Sequence, residues 1–447
     1  MKRLIQGLAA GVCLAAVSLA GCASPIPADV EALLDAPRLS DQQYEIHQAL
    51  REQVGQDVKL KYPQSGSYRS AFTFHDIDGD GTEEAIVLHT YQGGGNAQIT
   101  IMDLGEDGRW LVERTYPGLS PDIDFIRFEK LMKGGGESIV IGWKPDGGQK
   151  IVAAYRYENR DFAMLGSEDY TQLAIGDYNG DGRSELLVVV GAENSSLSTL
   201  LYMGERDGML DVLDSVSLGR DAVSFQTPVS GYIAPEIYGV AIDGTTSRGN
   251  LCTILAYVEE EQLVLPLSAG DGMLFTGTFR PGGEQAVYCQ DVTGDGIIDI
   301  PTQWTPPGYD RLDEDSRLVF TSYVNLSSSG FTTVLRAFVD PAAGFRLVLP
   351  DQWFTGSGQV TASRRAGSGE ITFFLYHNGD IGDRSRELLR LQVVDLQSPP
   401  RQFAPEQYFL LAQRGSFEYY ASLPGSRGEE GYAITQEEAA GLFQLLS

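Results

Sequence analysis

Residues 76–84 read Asp76-Ile77-Asp78-Gly79-Asp80-Gly81-Thr82-Glu83-Glu84. Oxygen-bearing side chains stand at the first, third, fifth and ninth positions, with Gly at the sixth. A hard, oxygen-loving cation needs that spacing. Alternate residues of a tight loop point inward, Gly permits the sharp turn, and the carbonyl at the seventh position adds to the shell. The pattern returns as Asp177-Tyr178-Asn179-Gly180-Asp181-Gly182-Arg183-Ser184-Glu185 and as Asp291-Val292-Thr293-Gly294-Asp295-Gly296-Ile297-Ile298-Asp299. The candidate metal ligands are therefore Asp76, Asp78, Asp80, Thr82 and Glu84 in the first copy. In the second they are Asp177, Asn179, Asp181, Arg183 and Glu185. In the third they are Asp291, Thr293, Asp295, Ile297 and Asp299. Thr82, Arg183 and Ile297 would act through their carbonyls. Ca²⁺ is the expected ion, at two to three sites, and Thr293 lowers the charge of the third copy, which is expected to bind most weakly.

These are not EF-hands. The twelfth position, where an EF-hand has a bidentate Glu, holds Val87, Val188 and Thr302. The flanks read as strands. Phe72 and Phe74, Leu173 and Ile175, and Val287 and Cys289 alternate before the loops, and apolar runs such as Leu186-Leu187-Val188-Val189-Val190 follow them. Degenerate copies without the carboxylate array lie midway, around Gly134-Gly135-Gly136 and around Gly231, and no metal is expected at either. Asp107-Gly108, Asp207-Gly208 and Asp271-Gly272 mark further hairpins. Four strands per unit of about 50 residues predict propeller blades, which must stack to bury their faces. Five blades are predicted: 65–118, 119–166, 167–218, 219–273 and 274–340. The run Val58–Tyr62 is a candidate to pair with the last blade and close the ring; an open stack or a sixth blade is the alternative.

The loops resemble the FG-GAP and VCBS repeats of integrin-type β-propellers, in which an Asp-rich loop between the first two strands of a blade holds calcium. The resemblance covers roughly residues 65–320 and implies the same ligand positions in the three intact copies. The wider arrangement is similar to VCBS-repeat lipoproteins of gut-dwelling Gram-positive bacteria. These share a lipobox, a helix followed by the run Leu60–Phe72, and a small C-terminal domain. That resemblance bears on architecture and says little about activity, because such repeats occur in adhesins, secreted enzymes and binding proteins alike.

Residues 1–21 read as a signal peptide, with Lys2 and Arg3 before an apolar stretch too short and interrupted to be a stable transmembrane helix. Leu19-Ala20-Gly21-Cys22 has the form of a lipobox, which makes Cys22 the expected lipid attachment site. Residues 22–39 suit a tether. The expected location is extracytoplasmic, anchored to the cell membrane through lipid. Removing residues 1–21 deletes two positive charges and shifts the net charge from −28 to −30. So acidic a chain lacks the basic face that nucleic acid requires. Its 42% hydrophobic content argues against disorder. Cys252 and Cys289 read as two buried free thiols in preference to a disulfide, and no Cys/His cluster suggests zinc.

Within 40–64, Ser40 with Gln43 forms a capping box for a helix ending near Gly55, with Ile46, Leu50 and Val54 on one stripe. Residues 65–340 are assigned to the propeller. Residues 341–447 are assigned to a small α+β domain, with Trp353 as core and a capped helix from Thr435 to Leu446. The fold class is thus mainly β: a propeller of about five four-stranded blades, an N-terminal helix and a C-terminal α+β domain. No HExxH, GxSxG, P-loop or dinucleotide motif is present. The sequence favours a calcium-stabilised, non-catalytic lipoprotein that binds an envelope protein or glycan. The alternatives are a polysaccharide-active hydrolase or lyase on a propeller face, and a structural accessory of an envelope complex.

Overall fold

The Asp41–Val54 helix starts where its sequence tells it to. Ser40 Oγ accepts the Gln43 N–H and Gln43 Oε1 accepts the Ser40 N–H, so two of the otherwise orphaned amides of the first turn are satisfied. Gly55, at φ +121°, ends it. Ile46 and Leu50 are fully buried against Ala85, Val87 and Met102 of the first sheet. The computed structural model describes residues 39–134, 136–158, 160–191, 198–219, 222–265, 280–309, 317–327, 330–365, 367–377, 379–399, 403–424 and 431–446. The signal segment, Cys22, most of the tether and Asp271-Gly272 lie outside them.

The protein is a mainly β, propeller-type array of antiparallel sheets. Sheet 1 contains Val58–Leu60, Phe72–His75, Glu84–Tyr91, Gln98–Leu104 and Trp110–Pro117. Sheet 2 runs Asp122–Glu129, Ser138–Lys144, Lys150–Glu158 and Asp161–Tyr170. Sheet 3 runs Gln172–Gly176, Glu185–Val190, Thr199–Arg206 and Met209–Ser217. Sheet 4 is built on Ile237–Thr246 and Leu251–Glu259, and sheet 5 on Ile300–Trp304, Phe320–Ser327, Gly330–Asp340 and Phe345–Val348. These five are the blades. A sixth sheet, from Gln359–Arg365 to Phe417–Ser422, belongs to the C-terminal region.

Period-two alternation assigns each strand face to a neighbour. Ile139 and Ile141 face sheet 1, packing with Ile86, Leu88, Ile99 and Ile101. Val140, between them, faces sheet 3 and packs with Leu186 and Val188. Leu187 and Val189 then face Val240 and Ile242 of sheet 4. Ala241 and Leu255 of sheet 4 meet Ile300 and Val324 of sheet 5. Phe338, Phe345 and Leu347 meet Phe373 and Leu389 of sheet 6. Both faces of each central strand are buried, which explains continuous apolar runs where a half-exposed strand would alternate. Across the junction of sheets 4 and 5, buried Arg280 donates to Asp243 Oδ1 at 2.7 Å, and the Cys289 amide donates to Asp243 Oδ2 at 2.7 Å. Cys252 and Cys289 are both buried.

Three details depart from the sequence expectation. Val58–Leu60 pairs with Glu84–Tyr91 in its own sheet, Val58 opposite Tyr91, and does not bridge to the last blade. The helix covers the outward face of sheet 1, and among the described residues no core cluster joins sheet 6 to sheet 1. The division at 340/341 falls inside sheet 5: Phe345–Val348 pairs with Gly330–Asp340, and Phe443–Leu445, expected as helix, pairs with Phe345–Val348. Only Gln436–Leu442 of the final segment is helical, capped by Thr435 and Glu438. Trp353 is core as expected, fully buried with its Nε1 donating to Tyr432 O at 2.8 Å.

Leu50→Ala should therefore uncover sheet 1 and cost about 2–5 kcal/mol, the range for a buried Leu truncation. Tyr44→Ala on the exposed side of the same helix should stay within about 0.5 kcal/mol. Urea denaturation of both variants checks the pair; equal losses would contradict the helix as a cover.

Candidate metal centres

The first two loops join Phe72–His75 to Glu84–Tyr91 and Gln172–Gly176 to Glu185–Val190, spanning residues 76–83 and 177–184. Each folds around its leading aspartate. Asp76 Oδ1 accepts the Gly79 N–H at 2.7 Å and Oδ2 accepts the Gly81 N–H at 3.0 Å. Asp177 does the same with Gly180 at 2.8 Å and Gly182 at 2.9 Å, and Asp291 with Gly294 at 2.6 Å and Gly296 at 2.9 Å. The glycines at the fourth and sixth positions are left-handed in all three loops, φ +76° to +90°, a conformation most side chains disfavour. The fifth-position carboxylates Asp80, Asp181 and Asp295 each accept the seventh-position N–H, from Thr82, Arg183 and Ile297 respectively.

The ninth-position acid is the buried end of the loop. Glu84 is 2% exposed and its Oε2 accepts the Ile77 N–H at 2.9 Å. Glu185 is 3% exposed and its Oε2 accepts the Tyr178 N–H at 2.9 Å. One oxygen of each is thereby oriented within its loop. Ligand oxygens of Asp76, Asp78 and Glu84 lie within 4.8 Å of one another, as do those of Asp177, Asp181 and Glu185. Burial pushes the Glu84 carboxyl up to about 7, helped by the charges of Asp78, Asp103 and Asp80 and opposed by the Ile77 amide. Burial likewise raises Glu185 to about 7, with Asp181 and Asp177 adding to the effect and the Tyr178 amide opposing it. Hard oxygen donors that repel one another in a desolvated pocket fit a divalent cation.

The copies are not equivalent. In the second, Arg183 folds back on Asp181, Nη2 to Oδ2 at 2.5 Å, and reaches Glu205 at 3.1 Å. Burial works against Asp181, but the guanidinium and the Arg183 amide hold its carboxyl below the usual value. The third copy is built differently. Asp299, fully buried, accepts the Val292 and Thr293 amides at 2.8 and 2.9 Å and Thr293 Oγ1 at 3.1 Å, all on Oδ2. With the Asn325 amide nitrogen turned toward it, Oδ1 is bonded at 2.5 Å. Neutral donors thus occupy both oxygens, and burial, the leading influence, raises this carboxyl too. Among the described residues, His, Cys, Asp and Glu form no metal-sized group at this loop. Its lead-in is also not a strand: a single bridge pairs Gln290 with Asp299. Asn325 is invisible to loop-based reading, because it arrives from Phe320–Ser327, the strand beyond Ile300–Trp304.

Three histidines outside the loops contact neighbouring groups. His75 contacts Glu137 at 2.5 Å and stacks on Phe128, while buried His89 bonds Thr100 at 2.8 Å. Burial, with a smaller effect from His47, lowers His89 to about 4. His377 has Ser385 at 3.4 Å and Asp383 at 3.1 Å, but both approach the same nitrogen, Nε2, and Nδ1 faces Leu375 O at 3.2 Å. A relay needs nucleophile and carboxylate on opposite ring nitrogens.

No protein-family model and no curated protein matches this chain. Among solved structures, a Bacillus licheniformis rhamnogalacturonan lyase is similar at 12% identity, covering 71% of this chain and 74% of that one, with a TM-score of 0.32. The rhamnogalacturonan lyase YesW is similar at 11% identity, covering 71% and 74%, TM-score 0.31. The Dos1 propeller is similar at 9% identity, covering 84% of both chains, TM-score 0.28. At these TM-scores nothing of their activities transfers to this chain.

The raised carboxyls set a pH dependence. Between 4.5, the ordinary glutamate value, and about 7, the metal-free folded protein holds protons that the unfolded chain releases. These two groups should therefore favour the metal-free fold below that window, and their contribution should be lost as pH rises through it. The double variant Glu84→Gln/Glu185→Gln, without metal, should show a shallower decline in Tm across this window than the wild type. Parallel pH profiles would contradict the assignment.

Proposed function

We propose that this protein is a calcium-loaded β-propeller that acts as a non-catalytic binding module. In this reading it is held on the outer side of the cell membrane by lipid on Cys22. The observation that carries it is the matched pair of carboxylate trios, Asp76/Asp78/Glu84 and Asp177/Asp181/Glu185, each closed by a buried glutamate. Oxygen-only ligands at this spacing favour Ca²⁺ over softer metals. The ion would neutralise carboxylates gathered at a turn that also starts a core strand, so its role is to hold the blade together. The binding partner is a protein or glycan of the envelope, which the tether would place within reach.

Two measurements test this. Calcium at a hundred times its Kd should stabilise the fold by about 2.7 kcal/mol per site relative to chelator, read as a raised Tm. Equal melting temperatures with and without calcium would overturn the metal assignment. Cys22→Ala should release the protein from the membrane fraction; unchanged partitioning would overturn the lipid anchor.

A further inference from the structure

Between the second metal loop and sheet 4 lies a cleft of about 530 Å³, lined by Tyr232, Tyr238, Tyr257, Glu236, Glu259 and Asp177 among others. It exists because the fourth blade is degenerate. Where the first and third blades carry an Asp-rich loop before Glu84–Tyr91 and Glu185–Val190, Val229–Ala234 and Ile237–Thr246 are joined by Pro235 and Glu236 alone. Glu236 sits at φ +66°, the positive φ that a type II turn with Pro at its first central position needs at the second. The missing loop leaves space beside its intact neighbour.

The walls are aromatic and fixed. The rings of Tyr232 and Tyr238 meet edge to face, centroids 5.5 Å apart at 84°, and Tyr178 lies 5.9 Å from Tyr238. The backbone of Tyr232 is held on two sides, by pairing with Tyr238 and by accepting the Ile298 N–H at 2.8 Å. Its side chain is nonetheless 48% exposed. In such a pair the rim of one ring rests on the face of the other, and the exposed ring of Tyr232 is the π-surface the cleft offers to a cation. Glu236 and Glu259 are exposed at the rim, and no Lys, Arg or His of the described residues lines the cleft. Glu260 and Glu261 follow directly in the next hairpin.

We propose that this cleft binds an alkylammonium group, its charge against the exposed Tyr232 ring and balanced by Glu236 and Glu259. Cation–π attraction and rim carboxylates favour an organic cation together. The rim carboxylates Glu236 and Glu259 disfavour a uronate or a phosphate. A neutral sugar could stack on the rings but would gain nothing from the charge. The inference deepens the binding-module reading and rests on it; calcium loading is measured separately, so the two can fail independently.

The test is calorimetric titration of the calcium-loaded chain with choline, with Nα-acetyl-lysine amide, whose ε-ammonium is free, and with the uncharged carbon isostere of choline. Choline or Nα-acetyl-lysine amide should bind saturably, and which of them does separates a free quaternary amine from a lysine side chain on a partner. The isostere should bind at least about tenfold more weakly, equivalent to 1.4 kcal/mol. Tyr232→Ala and Glu236→Gln/Glu259→Gln should each weaken binding at least about fivefold, with Tm and calcium content unchanged. Equal binding of the isostere, preference for a neutral or acidic sugar, unaltered affinity in both variants, or no saturable binding of either ammonium would overturn the proposal. Calcium loading retained in that case would leave the binding-module reading standing.

Discussion

One hydrogen bond ties each Asp-rich loop to the core: the carboxylate at the ninth position accepts the amide of the second. Glu84 holds Ile77, Glu185 holds Tyr178, and Asp299 holds Val292. These acids are at most 3% exposed. A buried carboxylate is costly unless its charge is compensated, so each copy needs a solution to the same problem. Glu84 and Glu185 have a neighbouring carboxylate trio, which a divalent cation would neutralise. Asp299 has amide and hydroxyl donors on both oxygens. The same loop geometry is thus maintained by two different chemistries.

That difference also bears on the sheets. Glu84 and Glu185 are the first residues of strands buried on both faces, so a loop that loosened would free the edge of a blade. The third loop instead leans on Asn325 of Phe320–Ser327, the sheet 5 strand paired with the Ile300–Trp304 strand that the loop leads into. Sheet 5 also receives a strand from the last described segment, with Phe443–Leu445 against Phe345–Val348. The last blade is therefore secured by long-range pairing.

Much of this was legible in the sequence for a physical reason: periodicity and turn chemistry are local. The Asp/Gly spacing gave the loops, and double-sided apolar runs gave the central strands. The Ser40 and Thr435 capping boxes gave both helix starts. What was not legible depends on partners distant in sequence. Nothing local to Val58–Leu60 tells that it pairs with Glu84–Tyr91, or that Ile46 and Leu50 cover the face a closing blade would need. The boundary at 340/341 was misplaced because the Asp-Gly signals stop there while the fifth sheet continues. At the candidate sites, residue types alone ranked the third loop weakest through Thr293. The stronger reason, Asn325 on Asp299, comes from another strand. The tyrosine corner was equally hidden, since it depends on Tyr232 and Tyr238 facing each other across a hairpin whose turn was expected at Gly231 and lies at Pro235 and Glu236.

The central claim is that two of the three loops are metal centres and the third is not. Native mass spectrometry of the chain in calcium, with and without Glu185→Gln, tests it most directly. The account predicts two bound ions in the wild type and one in the variant. Three ions in the wild type, or none, would contradict it.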